Sequence, residues 1–240
     1  MIGFRARLGF LLPPGNPTVE PEMMALAPPG VSLHFHRLHA EGVTGSLDGQ
    51  EERNRQMVAS LDGSAQVLAM VKPDVMVLAH TSTSYTLGQA AEAALVARIE
   101  AASGRRMITA FGAVLAALAA LGLRRIALAT PYSPATTAMG RAHLEAHGIR
   151  VVRAINLPGV TNIYDETPER AYRLARMADT PEAEAIFLSG VGMPTIAILQ
   201  AAEEDLGKPV ISAAGAMFWH ALRCAGVAAP IAGHGRLLRL

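Results

Sequence analysis

Short apolar runs alternate along this chain with longer segments whose apolar residues recur at helical spacing. The runs at Arg7 to Leu12, Val75 to Ala79, Arg125 to Ala129 and Ala185 to Leu188 are continuously apolar or nearly so, the pattern of strands buried on both faces. Val31 to Leu38 alternates instead. Met107 with Ile108, Arg150 to Asn156 and Pro209 to Ser212 complete the predicted strands. Between them the pattern predicts a short helix carrying Glu20, Glu22 and Met24, an amphipathic helix over Gln50 to Met70, and a helical run opening near Gly88 and continuing through Ala101. Further helices are predicted from Phe111 to Gly122, from the Pro134 turn to Gly148, over Thr167 to Met177, and through Asp205. The last contains Phe218, Trp219 and His220. Strands and helices alternating at this spacing imply parallel βαβ units and an α/β fold.

The polar punctuation repeats. LGFLLPPGN, beginning at Leu8, has a counterpart in IALATPYSP at Ile126, and VMVLAHTS at Val75 in AIFLSGVG at Ala185. Matching breaks at matching strand ends imply two similar halves facing each other across a cleft. Ligands in such sheets bind at the carboxyl ends of strands, where loop backbone and the following helix N-terminus converge. Asn16, His80, Tyr132 and Gly190 are therefore expected to converge there. The richest of these ends is His80-Thr81-Ser82-Thr83-Ser84-Tyr85, a histidine followed by five hydroxyls, with more polar atoms than helix capping requires.

Composition narrows the partners. Of 240 residues about half are hydrophobic, and 21 basic residues balance 20 acidic ones. That balance argues against nucleic acid or an anionic membrane and leaves a small anionic ligand open. The first residues hold an apolar run too short to span a bilayer and no small-residue cleavage site, so a cytoplasmic protein is expected. A single cysteine, Cys224, excludes a disulfide framework or a multi-thiolate metal site, and its place in the last helix suggests a buried structural thiol. His34, His36 and His39 read as a polar or inter-subunit face of an edge strand rather than a zinc site, since no ligand cluster of matching spacing accompanies them. Gly190-Val191-Gly192 lacks the third glycine of a dinucleotide fingerprint. No metal or organic cofactor is expected. The Ala-rich helices suit a homo-oligomer.

On these motifs the chain is similar, over nearly its whole length, to the aspartate/glutamate racemase superfamily, in the branch holding maleate cis-trans isomerase and arylmalonate decarboxylase. PPGNPTVEPE resembles an opening segment whose asparagine binds a substrate carboxylate, here Asn16 after Pro14; HTSTS, ATPY and SGVGMPT resemble the segments at three further strand ends, and MFWHALR and GHGRLL the closing ones. The resemblance implies two pseudo-symmetric Rossmann-like subdomains with parallel sheets and a small carboxylic acid between them. The division expected is residues 1–109 plus 213–240 against 110–212. The family's two catalytic cysteine positions correspond here to His80 and Gly190.

That departure selects chemistry. Two-thiol racemisation is excluded, because glycine is neither acid nor base. A thiolate-adduct isomerisation lacks its soft nucleophile. Decarboxylation of a malonate-type acid asks for less: donors for the enediolate, expected from Thr81, Ser82, Tyr132 and the amides around Gly190 and Val191, and one proton, for which His80 is the candidate. Isomerase, hydratase or lyase chemistry based on His80 is the alternative, and a non-catalytic carboxylate-binding protein a third reading. Thr161, Asn162 and Tyr164, in the loop Gly159 to Glu166, form a candidate specificity segment or a plain surface loop. Phe218 and Trp219 are expected in the core or a subunit contact, and Arg236 and Arg239 in solvent.

Overall fold

The computed structural model describes residues 2–240. Two four-stranded parallel sheets carry the chain. The first has the order β2-β1-β3-β4, with β1 at Ala6–Leu12, β2 at Val31–Arg37, β3 at Val75–Leu78 and β4 at Arg106–Thr109; the second has the order β6-β5-β7-β8, with β5 at Arg125–Thr130, β6 at Arg150–Asn156, β7 at Ala185–Leu188 and β8 at Val210–Ser212. The segments paired by the sequence repeat thus occupy equivalent places, β1 with β5 and β3 with β7. The continuously apolar strands are the central ones, and β3 and β7 are buried at every residue.

Helices α1 (Val19–Leu26), α2 (Gln50–Ala69), α3 (Thr81–Ser103) and α4 (Ala110–Ala120) follow the first four strands, and α5 (Pro134–Ala146), α6 (Pro168–Ala178), α7 (Leu199–Leu206) and α8 (Ala213–Cys224) the second four. Ser133, Thr167 and Ser212 cap their helices with a side-chain oxygen, as a serine or threonine before a helix does. Helices α4 and α8 pack on each other, and α8 also packs on β1 and β3 of the first sheet. Phe218 and Trp219 are buried there, as expected of core residues.

One expected boundary is wrong. The helix after β3 opens at Thr81, directly after His80, rather than near Gly88. Gly88, at φ 74° and ψ 169°, instead breaks a helix already two turns long, a conformation that a residue with a Cβ rarely adopts. The hydroxyls therefore sit on helix backbone, not on a loop.

The seam between halves is built from buried polar contacts. Asn16 Nδ2 donates to Val191 O at 3.4 Å, Thr18 Oγ1 donates to Gly192 O at 2.8 Å, and Tyr85 Oη and Ser189 Oγ are 2.8 Å apart. Glu22 Oε1 accepts from the amides of Thr195 at 2.6 Å and Ile196 at 2.8 Å, while Oε2 is buried without a partner. Burial raises this carboxyl to about 7, and the two amides only partly oppose it. Between pH 4.5, the ordinary value, and about 7, Glu22 stays protonated when folded but ionises when unfolded, so its contribution to stability falls as pH rises through that window. Glu22→Gln keeps the accepting oxygen and removes the titration. Its stability relative to the parent is expected to rise by on the order of 2 kcal/mol between pH 5 and pH 8, measured by denaturant unfolding at each pH; a pH-independent difference contradicts this.

Candidate active site

β3 ends at Leu78, and Ala79 N still pairs with Leu11 O at 2.8 Å. His80 is the N-cap of α3 in an extended conformation and makes no side-chain capping bond, so the first amides of the helix are left free of a side-chain acceptor. The five hydroxyls that follow have different destinations. Thr83 Oγ1 lies 2.7 Å from His80 Nδ1 and fixes the ring, whose Nε2 is 3.3 Å from Ser82 Oγ. Ser84 donates to Glu92 at 2.7 Å in a buried network with Thr109 and His143, and Tyr85 spans the seam to Ser189. Thr81 and Ser82 are fully buried behind the cleft rather than lining it, and Ser82 Oγ is engaged by its neighbours. Thr81 is fully buried, and its hydroxyl oxygen has no hydrogen-bond partner. A buried orphan hydroxyl is costly, which makes it the most conspicuous polar group of the strand end.

The cleft beside them is lined from both halves by Pro13, Pro14, Asn16, His80, Tyr132, Ile163, Tyr164, Val191 and Gly192, among others. It is narrow and opens in part to solvent. Four expected residues, Asn16, His80, Tyr132 and Val191, thus meet, with Pro14 beside them. Asn16 is largely committed: its Oδ1 accepts from the amides of Thr18 at 2.8 Å and Val19 at 3.0 Å, and Nδ2 gives one N–H to Val191 O, which leaves one N–H. The Pro-Pro-Gly-Asn turn is held from behind by Arg37, which donates to Pro14 O and Asn16 O at 3.0 Å each and pairs with Glu20.

Tyr132 is pinned by Asn156, whose Nδ2 donates to the Tyr132 carbonyl at 2.9 Å, and its ring meets Tyr85 edge-on at 6.3 Å. Burial raises the phenol well above its ordinary value, partly offset by the hydroxyls of Ser189, Ser82 and Thr81, so Tyr132 stays a neutral donor. Gly190 does not itself line the cleft; it backs Tyr132. At φ +100° a Cβ built on it would lie 3.1 Å from the Tyr132 hydroxyl.

His80 differs from expectation. Desolvation, with a smaller effect of the Arg53 charge, lowers its pKa to about 4, so the imidazole is neutral in the empty cleft near pH 7. An ordinary histidine value does not apply to it.

The first turns of α2 supply residues that the sequence reading passed over. Asn54 donates to Ser82 O at 3.2 Å and to Ser82 Oγ at 3.3 Å, Gln50 Nε2 lies 3.4 Å from Ser82 Oγ, and Arg53 lines the cleft beside them. The signal was available: Gln50 and Asn54 occupy i and i+4 of the face that continues into Met57 and Leu61, and amides at buried helix positions need partners. The loop expected at Gly159 to Glu166 forms a short 3-10 turn, Ile163–Asp165, whose Ile163 and Tyr164 line the cleft. A strap closes over the site where Asn162 Nδ2 donates to Thr44 O at 3.1 Å and Ile163 N to Gly45 O at 2.8 Å.

Other residues singled out by the sequence are placed as follows. His34 bonds Ser32 Oγ at 3.0 Å on β2, an edge strand, and no group of three or more metal-ligating side chains is found among the described residues. Cys224 is only half-buried, because it lies at the end of α8, and its Sγ is 3.5 Å from His220 Nε2. Arg236 and Arg239 are exposed.

This two-halved α/β architecture, with its cleft between strand ends, is one the chain shares with known proteins. The chain belongs to the arylmalonate decarboxylase family, whose pattern it matches over residues 8–238. It is 35% identical to the arylmalonate decarboxylase of Bordetella bronchiseptica over 173 residues, 68% of this chain and 70% of that one. A cysteine-to-alanine variant of the maleate isomerase Iso of Pseudomonas putida S16, solved with maleate, superposes with a TM-score of 0.89 at 26% identity, covering 98% of this chain and 97% of that one. A Nocardia farcinica maleate cis-trans isomerase variant, solved with a covalently bound succinylcysteine intermediate, superposes with a TM-score of 0.87 at 28% identity over 98% of each chain.

Gly190→Ala tests the packing behind Tyr132. The left-handed backbone and the crowded hydroxyl are expected to cost about 1–2 kcal/mol, lowering the melting temperature by several degrees; an unchanged melting temperature contradicts the geometry.

Proposed function

We propose that the chain is a decarboxylase of a malonate-type acid, with His80 as proton donor and Thr81, Ser82, Tyr132, Asn16 and the amides around Gly190 and Val191 as the carboxylate and enediolate cradle. The observation that carries this reading is the buried, unpartnered Thr81 hydroxyl beside Ser82, at a helix start whose N-cap makes no side-chain bond. The Thr81 hydroxyl has no acceptor in the protein, Ser82 Oγ is shared with His80 Nε2, and hydroxyl donors at this strand end suit the oxygens of an enediolate. Pro13, Pro14, Ala40 and Met57 give the cleft an apolar side, suited to a carboxylate leaving as neutral carbon dioxide.

In this reading the malonate dianion enters with one proton, which His80 takes because two carboxylate charges nearby favour the imidazolium. The bond to the departing carboxylate breaks, and its electron pair enters the retained carboxylate as an enediolate. The carbanion carbon then takes the His80 proton, leaving a monocarboxylate and neutral imidazole. The sum is one dianion and one proton in, one monoanion and carbon dioxide out. The succinylcysteine of the Nocardia enzyme has no counterpart in this account, since the one cysteine, Cys224, is absent from the cleft lining.

The neutral resting state of His80 favours one second reading, in which the imidazole acts as base in a maleate-isomerase-like isomerisation or a hydratase or lyase reaction. A third arrangement, a carboxylate-binding protein without turnover, uses the same cradle. We further take the chain to divide into residues 1–109 plus 213–240 and 110–212, supported by the two sheets and by α8 packing on the first of them. We take it to act as a cytoplasmic homo-oligomer without nucleic-acid or membrane partners, supported by the near-neutral charge balance. No helix among the described residues is long and apolar enough to cross a membrane.

The pH dependence separates the first two readings. If His80 must be protonated, kcat/KM for a substituted malonate falls about tenfold per pH unit between pH 6.5 and 8.5, because the free group titrates far below that range. His80→Ala loses turnover by about 100-fold or more and still binds the acid. A flat profile over that range assigns His80 the base role, and an unaffected rate in the variant removes it from the mechanism.

A further inference from the structure

Among the described residues Arg53 is the one arginine or lysine lining the cleft, and no acidic side chain lines it. Other arginines near the site end are paired: Arg37 with Glu20, Arg55 with Glu51 and Glu52. Among the described residues no carboxylate lies within ion-pair distance of Arg53. Its guanidinium is half-buried and donates only to main-chain carbonyls of the strap, Asp48 O at 2.7 Å and Ser46 O. A guanidinium carries five N–H donors in a rigid fork that matches a carboxylate, so donors remain beyond these two bonds.

Its charge reaches across the cleft. It contributes to the lowered pKa of His80 on the first half, and it opposes, as the largest lowering influence, the burial that pushes the Tyr164 phenol up to about 12 on the second. A cation felt from both walls and matched by no anion leaves the cleft with uncompensated positive potential. The α2 neighbours Gln50 and Asn54 bond Ser82, and so belong to the strand-end cradle; Arg53 turns instead toward the strap. The cleft thus has two separate places for negative charge, the strand-end group of Asn16, His80 and Tyr132, backed by the buried Thr81 and Ser82, and the guanidinium under residues 46–48.

We propose that Arg53 is the specificity-determining residue of the site and is the counter-ion of a second anionic group on the substrate, so that the acid carries a carboxylate on its side chain rather than an aryl group. This rests on the carboxylate-cradle reading above. A departing carboxylate is not the partner of Arg53, because an ion pair there would stabilise the charge that decarboxylation must lose. The second anion is met by the guanidinium donors left over from the Ser46 and Asp48 carbonyls.

The test is a selectivity ratio. Binding of succinate and glutarate is compared with that of butyrate and phenylacetate by calorimetry or NMR titration, for the parent, Arg53→Gln, Arg53→Lys and Ser82→Ala. The parent is expected to favour the dicarboxylates by about tenfold or more, with the preference lost in Arg53→Gln and partly kept in Arg53→Lys. Ser82→Ala weakens all four acids alike. If Arg53 merely fastens the strap, Arg53→Gln weakens every acid equally and the ratio survives, which overturns the proposal while leaving the cradle intact. A parent ratio near one with Ser82→Ala still weakening every acid does the same. A parent protein that binds none of the four at millimolar concentration overturns both the proposal and the cradle.

Discussion

Two parallel sheets set strand end to strand end create a buried polar seam, and the structure depends on pairing it. Strand ends and helix starts carry amides and carbonyls that water cannot reach there, and each unpaired one is costly. Most are matched across the halves, Asn16 to Val191, Thr18 to Gly192, Glu22 to Thr195 and Ile196, and Tyr85 to Ser189. These bonds align the halves, so the site geometry is a by-product of satisfying the seam. The Thr81 hydroxyl, buried behind the cleft, and Asn54 Oδ1, on a residue that lines it, are left without partners, as are Glu22 Oε2 and Thr195 Oγ1 along the seam.

The same seam sets the electrostatics. Desolvation works against charge on His80, Tyr132 and Tyr164 alike, keeping the cleft a set of neutral donors and acceptors. Arg53 alone among the lining side chains keeps a permanent charge, because a guanidinium does not lose its proton in a protein. Under the proposed function an entering carboxylate meets these donors and a cation without an anionic partner. His80 is neutral in the empty cleft near pH 7, and under the proposed mechanism its protonation is coupled to substrate binding.

Much of this was legible in the sequence because periodicity reports burial. The continuously apolar runs are the central strands, and the repeat of LGFLLPPGN in IALATPYSP placed β1 and β5 equivalently. The meeting of Asn16, His80 and Tyr132 followed from strand ends alone. What periodicity could not show is where each hydroxyl points. Thr83, Ser84 and Tyr85 look alike in a row, yet one orients His80, one feeds a buried glutamate and one spans the seam. The helix start was misplaced for a related reason: Gly88 reads as a boundary, whereas it interrupts a helix that had already begun. Arg53 was missed because a charged residue at a helix front reads as solvated until the fold shows which strap lies above it. The depressed pKa of His80 likewise comes from surroundings that sequence neighbours do not reveal.

The most direct test of the central claim is proton NMR in D2O with a panel of substituted malonates, including one bearing a carboxymethyl arm. The account predicts loss of one carboxyl group and the appearance of product with a single deuterium on the former malonate carbon, in one stereochemical sense. Conversion of maleate to fumarate under the same conditions, with every malonate left intact, would contradict it.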